Sequence, residues 1–379
     1  MDLNRREDIE KLEWQTLAGY AALAGNSRGR VYPQKEHPLR TAFQRDRDRI
    51  VHCAAFRRME FKTQVFLPHE GDHFRTRLTH TIEVAQIGRT MARALRLNED
   101  LSEAIALVHD VGHTPFGHIG EDVLNDLLAV SGGFNHNVQS LRVVDILEQR
   151  YPEHPGLNLT YEVREGIAKH ETKVVIKHPD FDTAKRPTLE ASIVDIADEI
   201  AYNGHDIDDG LSSGILSLEE LKELAVWDSA KANGLDNVMK NLAGDQKRYA
   251  LVRYLVNLMT TDVLNETVGQ LGKLRITDIE SLQSAPEKIC RYSPEMGEKV
   301  HELKNFLRDK LYRHVRLMGL QEKTKRIMEA LFRKFQADPS LMPLRFQEML
   351  LTEKTEIVIA DYIAGMTDRY AEKLYEKFS

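Results

Sequence analysis

The chain has 379 residues, with 52 Lys plus Arg against 59 Asp plus Glu and a formal net charge of −7. That length allows one large or two modest domains. The acidic balance argues against a general nucleic-acid coat and against strong nucleic-acid binding, and leaves room for a local basic pocket around a small anion. Two cysteines, Cys53 and Cys290, are too few and too far apart for a disulfide framework or a zinc ribbon, so a reducing cytoplasm is the expected location. The charged opening MDLNRREDIEKLEW lacks the apolar segment of a secretory signal. No run approaches the roughly eighteen apolar residues that a membrane helix needs.

In chain order the dominant period is helical. Residues 79–97 place Ile82, Ala85, Ile87, Met91, Ala94 and Leu95 on one apolar stripe. Residues 99–110 repeat the pattern with Leu101, Ala104, Ile105, Leu107 and Val108, as do 140–149 and 188–203. Gly112, Pro115 and Gly117 break the helix that carries His109. Gly132-Gly133 and the stretch 151–158, with two prolines and a glycine, read as loops. Residues 173–188 read as a surface excursion or short hairpin. From 215 onward the chain is helical again and ends in an amphipathic segment near 353–378. Apolar/polar alternation is almost absent, so few strands are expected. The predicted fold is all-α: one domain over 1–379, with an Arg-rich segment at 1–60, a central core at 61–210 and a C-terminal helical region at 211–379.

Of fifteen histidines, seven lie between positions 69 and 136, most densely in HDVGHTPFGH at 109–118. An adjacent His-Asp pair at the end of a buried helix needs partners for both side chains, and a divalent cation supplies one. Imidazole nitrogen with carboxylate oxygen suits Mn²⁺, Fe²⁺, Zn²⁺ or, less well, Mg²⁺. Further ligands must come from other helices. His80 follows the basic strip Arg75-Thr-Arg77. Asp195 and Asp198 lie on another helical segment, IVDIADEIAYNGHDIDD. Six arginines fall between 40 and 58. Asp46 and Asp48 make a solvated face of Arg45, Arg47 and Arg49, whereas Arg57 and Arg58, which lead into KTQVF, point to the substrate side.

The ordered set His…His-Asp…Asp resembles the HD phosphohydrolase superfamily. More narrowly, the chain is similar to the deoxyguanosine triphosphate triphosphohydrolase (dGTPase) family. The segments that carry the likeness are NSRGR (26–30), RTAFQRDRDRIVHCAAFRR (40–58), KTQVF (62–66), RTRLTHTIEV (75–84), HDVGHTPFGHIGE (109–121), FNH (134–136), ADEIAYNGHDIDDG (197–210) and DYIAGMTDRYA (361–371). They span nearly the whole chain.

The resemblance implies an all-α bundle around one divalent metal per subunit. Mn²⁺ or Mg²⁺ is favoured, and Fe²⁺, Zn²⁺ and Ni²⁺ are compatible. The ligands it implies are His80, His109, Asp110 and Asp198. Asp198 is taken because it precedes Tyr202 by four residues, with Asp195 as the fallback. The implied reaction cleaves a dNTP to deoxynucleoside and tripolyphosphate. His118 and Glu121 correspond to the family's water-activating pair, although Glu121 also fits a helix N-terminal acid. His113 and His136 correspond to phosphate-facing histidines, and Arg77 to a phosphate clamp. Gln64 and Tyr202 correspond to the sugar site, Asp206 to a residue near sugar and phosphate, and Lys169 with His170 to a phosphate contact. A homo-oligomer, commonly a hexamer in this family, and activation by a second dNTP follow as expectations. The motifs leave base preference open and give Asp361 and Arg369 no role. Competing readings are an HD-type phosphatase of other nucleotides and a non-catalytic nucleotide sensor.

Overall fold

The computed structural model describes residues 3–64, 75–170, 176 and 178–378. Val65 and Phe66 of KTQVF, and residues 173–175 and 177 of the expected excursion, lie outside the described residues. The N-terminal half contains α1 (Arg6–Thr16), α2 (Ala42–His52), α3 (Ala54–Arg58), α4 (Arg77–Ala94), α5 (Glu99–Val108), α6 (Gly117–Leu127), α7 (His136–Arg142), α8 (Tyr161–Ala168) and α9 (Leu189–Ser212). The C-terminal half contains α10 (Leu218–Leu221), α11 (Ala225–Ala232), α12 (Leu235–Met239), α13 (Asp245–Lys273), α14 (Ile279–Gln283), α15 (Pro294–Leu307), α16 (Val315–Ala337), α17 (Leu344–Met349), α18 (Thr355–Ala364) and α19 (Asp368–Phe378). The protein is all-α. Among the described residues β structure is limited to three isolated bridges, Arg30 with Thr160, Thr63 with Thr76 and Gln149 with Gly156.

The helices that frame the centre start at strong caps. Thr76 accepts from the Thr79 amide at the start of α4, Asn98 from Leu101 at α5, and Thr188 from Ala191 at α9. These three helices pack on one another, and α9 also packs on α13. Their shared face buries Val84, Ile87 and Met91, Leu101, Ile105 and Val108, and Ile193, Val194 and Ile200. Complete burial of each such side chain is worth about 1.5–3 kcal/mol, so this apolar seam holds the frame. A second apolar cluster joins Phe116, Val123 and Leu124 to Leu331 and Phe335 of α16 and to Ile359 and Ile363 of α18.

Three expectations change. The segment near 353–378 is two helices, parted at Gly365. Of these α18 is almost wholly buried, and the amphipathic pattern belongs to α19. The helix with His109 already stops at Val108, so His109 is its C-cap residue. The solvated arginine face of α2 fails at its centre. Asp46 is fully buried, bonded to Arg30 and Thr160, and Arg49 is buried against the Leu157 and Asn158 carbonyls.

Candidate metal centre and active site

The loop after α5 turns sharply. Gly112 lies so close to α7 that a Cβ there would stand 2.1 Å from the Ser140 amide. Phe116 and Gly117 both take left-handed backbone, at φ +61° and +62°. The side chain of Asp368 secures this turn. It accepts from the Phe116 amide at 2.9 Å and from the Thr63 amide and hydroxyl. Lys62 donates to the carbonyls of His113 and Ala364.

The turn delivers His109 and Asp110 to His80 of α4 and Asp198 of α9. Ligand atoms of His80, His109 and Asp110 lie within 4.8 Å of one another, and so do those of His109, His170 and Asp198. Asp198 Oδ1 is 2.9 Å from His80 Nε2 and 3.8 Å from His109 Nε2. Asp195 is turned to His170 instead, 2.6 Å from its Nδ1.

The donor set fits a divalent cation. His109 Nδ1 donates to the Ala106 carbonyl at 2.6 Å, which leaves Nε2 as a lone pair; that atom is buried and has no hydrogen-bond partner among the described residues. Burial lowers the His109 pKa and so favours the neutral, ligating form. Burial opposes ionisation of Asp110 and Asp198. Arg77 and the surrounding histidines outweigh it at Asp110, and the neighbouring His170, His80 and His109 outweigh it at Asp198. Both are therefore held well below the usual carboxylate range.

Beside these four lies a second cluster. Glu121 accepts from the His136 amide and from its Nδ1, each at 2.9 Å, and His118 Nδ1 is 3.5 Å away. Burial would raise Glu121, but the His118 and His136 contacts prevail and hold it far below the ordinary value. The His113 ring stacks on His136 at 4.4 Å. Burial and then Arg77 push the His113 pKa well down, so its imidazole is neutral. The Tyr202 ring is 6.4 Å from both His80 and His118 and so borders both clusters.

An HD domain model matches residues 77–203, and a phosphohydrolase-associated domain model matches 290–377. The chain is similar to the deoxyguanosinetriphosphate triphosphohydrolase-like protein of Geobacter sulfurreducens, with 45% identity over 98% of each chain. The protein of the same name from Azoarcus sp. (strain BH72) is 48% identical over 95% of this chain and 96% of its own. That from Geobacter metallireducens is 46% identical over 97% of each.

The chain belongs to the dGTP triphosphohydrolase-like family of HD phosphohydrolases. It is thus a hydrolase of a class that uses a divalent metal. No helix among the described residues is long and apolar enough to cross a membrane.

In this HD phosphohydrolase Arg77 adjoins the centre. Its Nη1 donates to Asp110 Oδ2 at 2.6 Å, while Nε and Nη2 are buried without partners among the described residues. Gln64 stands nearby: a Cβ on Gly117 would meet Arg77 Nη2 at 3.3 Å and the Gln64 carbonyl at 3.5 Å. Its Oε1 is also buried and has no partner among the described residues. Burial raises Asp206 well above the usual carboxylate range, and its Oδ2 accepts from the Tyr312 hydroxyl at 2.5 Å.

Other expected residues are not brought to the site. Lys169 Nζ is bound 2.8 Å from both Glu165 Oε1 and the Lys185 carbonyl, and Lys169 lines a cavity of about 580 Å³ with Arg186, Lys288 and Asp195. His170, its neighbour, is the residue that reaches Asp198, at 3.6 Å. Arg57 and Arg58 lie behind the turn. They donate to the His52 and Gly365 carbonyls and line a cavity of about 320 Å³ with Arg150 and Arg345. Their position next to KTQVF in sequence carried no information about which side of the turn they face.

The motifs also missed residues. Tyr312 sits 2.6 Å from the Tyr202 hydroxyl, with the two rings stacked, and no local pattern marks it. Asp368 and Asp361 do lie in a recognised segment, DYIAGMTDRYA. Asp368 clamps the turn, and Asp361 binds Arg142 and Gln139 of α7. Arg369 is exposed.

Proposed function

We propose that the protein hydrolyses deoxynucleoside triphosphates to deoxynucleoside and tripolyphosphate, with one divalent cation, Mn²⁺ or Mg²⁺, held by His80, His109, Asp110 and Asp198. One observation carries the reading. Buried polar atoms without partners among the described residues, His109 Nε2 and Arg77 Nε and Nη2, belong to side chains that flank Asp110, in a chain whose relatives are named for dGTP hydrolysis. Leaving such groups unsatisfied costs about 1–3 kcal/mol each, a cost that a bound cation and an anionic, hydroxyl-bearing substrate remove together.

The cation, when bound, polarises the α-phosphate and lowers the pKa of a water on it. The protein's own groups do the rest. Arg77 donates Nε–H and Nη2–H to phosphate oxygen, with Asp110 fixing the guanidinium plane. The carboxylate of Glu121 orients His118 and His136, and the His118–Glu121 pair takes the proton of the attacking water. His113 and His136 face the phosphate. Gln64 and Tyr202 hold the deoxyribose, and Asp206, tied to Tyr312, backs it. The oligomeric state and activation by a second dNTP follow the family expectation. Incubation with each of the four dNTPs, singly and in pairs, tests the reading through its products. Deoxynucleoside with tripolyphosphate is expected; orthophosphate or pyrophosphate as the main product refutes it.

A further inference from the structure

His80 differs from His109 in how its outer nitrogen is held. For His109 a backbone carbonyl at Nδ1 forces the hydrogen there and leaves Nε2 free. At His80 the partner is another imidazole: Nδ1 lies 3.1 Å from Nδ1 of His205, which sits on α9 with Asp198. Two nitrogens so placed share a single hydrogen, so one donates and the other accepts. The far side of His205 decides which. His205 Nε2 is bound to Glu83, and a carboxylate only accepts. In neutral His205 the hydrogen therefore resides on Nε2, and its Nδ1 is an acceptor. Neutral His80 must then donate from Nδ1, and its lone pair is confined to Nε2.

Nε2 of His80 faces Asp198 Oδ1 at 2.9 Å. Two acceptors at that distance repel each other unless a proton or a metal cation lies between them. Glu83 lies one turn after His80 on α4 and is braced in turn by Arg75, whose Nε is 3.3 Å away. Arg75 also reaches Asp208 at 2.7 Å and Asp209 at 3.1 Å on α9. The chain Arg75–Glu83–His205–His80 thus links the two helices that meet at the centre.

We propose that His205, oriented by Glu83, is a positioning residue that fixes the tautomer of His80 and thereby sets the affinity of the centre for its cation. The affinity half rests on the metal reading above; the tautomer half does not. Partners that orient a ligating histidine typically change metal affinity about 10–100-fold.

The test uses the full chain, ¹⁵N-labelled at histidine, after treatment with chelator. Long-range ¹H–¹⁵N correlation reads the His80 tautomer, and Mn²⁺ titration by calorimetry reads affinity. Wild type should carry its His80 hydrogen on Nδ1. His205→Leu should shift it towards Nε2 and weaken Mn²⁺ binding about 10–100-fold. His205→Gln, whose carbonyl can accept from His80 while its amide donates to Glu83, should restore most of both. Glu83→Leu, at a half-exposed position, provides the same loss if His205→Leu does not fold. A wild-type His80 with its hydrogen on Nε2 overturns the proposal. So does wild-type Mn²⁺ affinity in a folded His205→Leu protein, or a His205→Gln protein as weak as His205→Leu. A wild type with the Nδ1 hydrogen but no affinity for any divalent cation overturns the metal reading, and the affinity half with it.

Discussion

The two halves of the centre stand on different foundations. His80, His109 and Asp110 are almost completely buried, and with Asp198 they rest on the seam between α4, α5 and α9. His118 and Glu121 rest on α6, whose Val123 and Leu124 belong to the second core with α16 and α18. The His118 side chain is 56% exposed. Groups that would hold a cation need fixed positions to within a fraction of an ångström, and packed helices give that. A group that exchanges protons with a water needs access to the pocket. The turn 109–116 joins the halves, and Asp368, from the far end of the chain, holds it. The C-terminal region is therefore part of the site's support.

This contrast can be broken at either half. The largest effect is expected for Asp110→Ala, which removes an acceptor from Arg77 and one of the proposed metal ligands. Calorimetry with Mn²⁺ should show no binding and a dNTP assay no turnover, while far-UV circular dichroism stays helical; retained turnover would refute the metal assignment. Glu121→Gln strikes the other half. It should lower kcat about 10²–10⁴-fold and leave the substrate Kd and Mn²⁺ affinity nearly unchanged. An unaltered kcat would return Glu121 to the role of a helix-end acid.

Asp368→Ala acts on the joint. It orphans the Phe116 amide and the Thr63 amide and hydroxyl, at about 1–3 kcal/mol per buried group. We expect a lower Tm and a kcat that falls more than Mn²⁺ affinity does, because the ligands keep their own core. Equal losses of kcat and metal affinity would show that the halves are not independently supported.

The smallest effect concerns a pair of acids remote from the centre. Glu190 accepts from the Ala22 and Asn98 amides, and Glu13 from the Ala24 amide and the Asn98 side chain. Burial pushes each up to about 7. A raised carboxyl pKa means that the folded state holds a proton that the unfolded state releases. Their contribution is fully present below the unfolded value of 4.5 and is lost as pH rises through about 7. Glu190→Gln should flatten the fall in Tm across that window; an unchanged slope would place the pH dependence elsewhere.

The periodic apolar pattern and the near absence of alternation determined the all-α fold, because burial of one face at a 3.6-residue period is a local property of the chain. Turn chemistry likewise marked the loop after α5, where Gly112 and Gly117 meet constraints that other residues would strain, although the helix ends at Val108, before His109. The ordered His, His-Asp and Asp motifs, read as a likeness, named the residues that gather at the centre. Tertiary structure alone decided which neighbours meet. Asp195 and Asp198 share a broad helix face, and only the rotation of α9 against α4 turns one to His80 and the other to His170. Arg57 and Arg58 fall behind the turn, Lys169 is turned to Glu165, Tyr312 comes from 110 positions beyond Tyr202, and His205 meets His80 across 125. Spacing along one helix says where a side chain projects from that helix. The partner is set by how distant helices cross, which depends on the packing of the whole core.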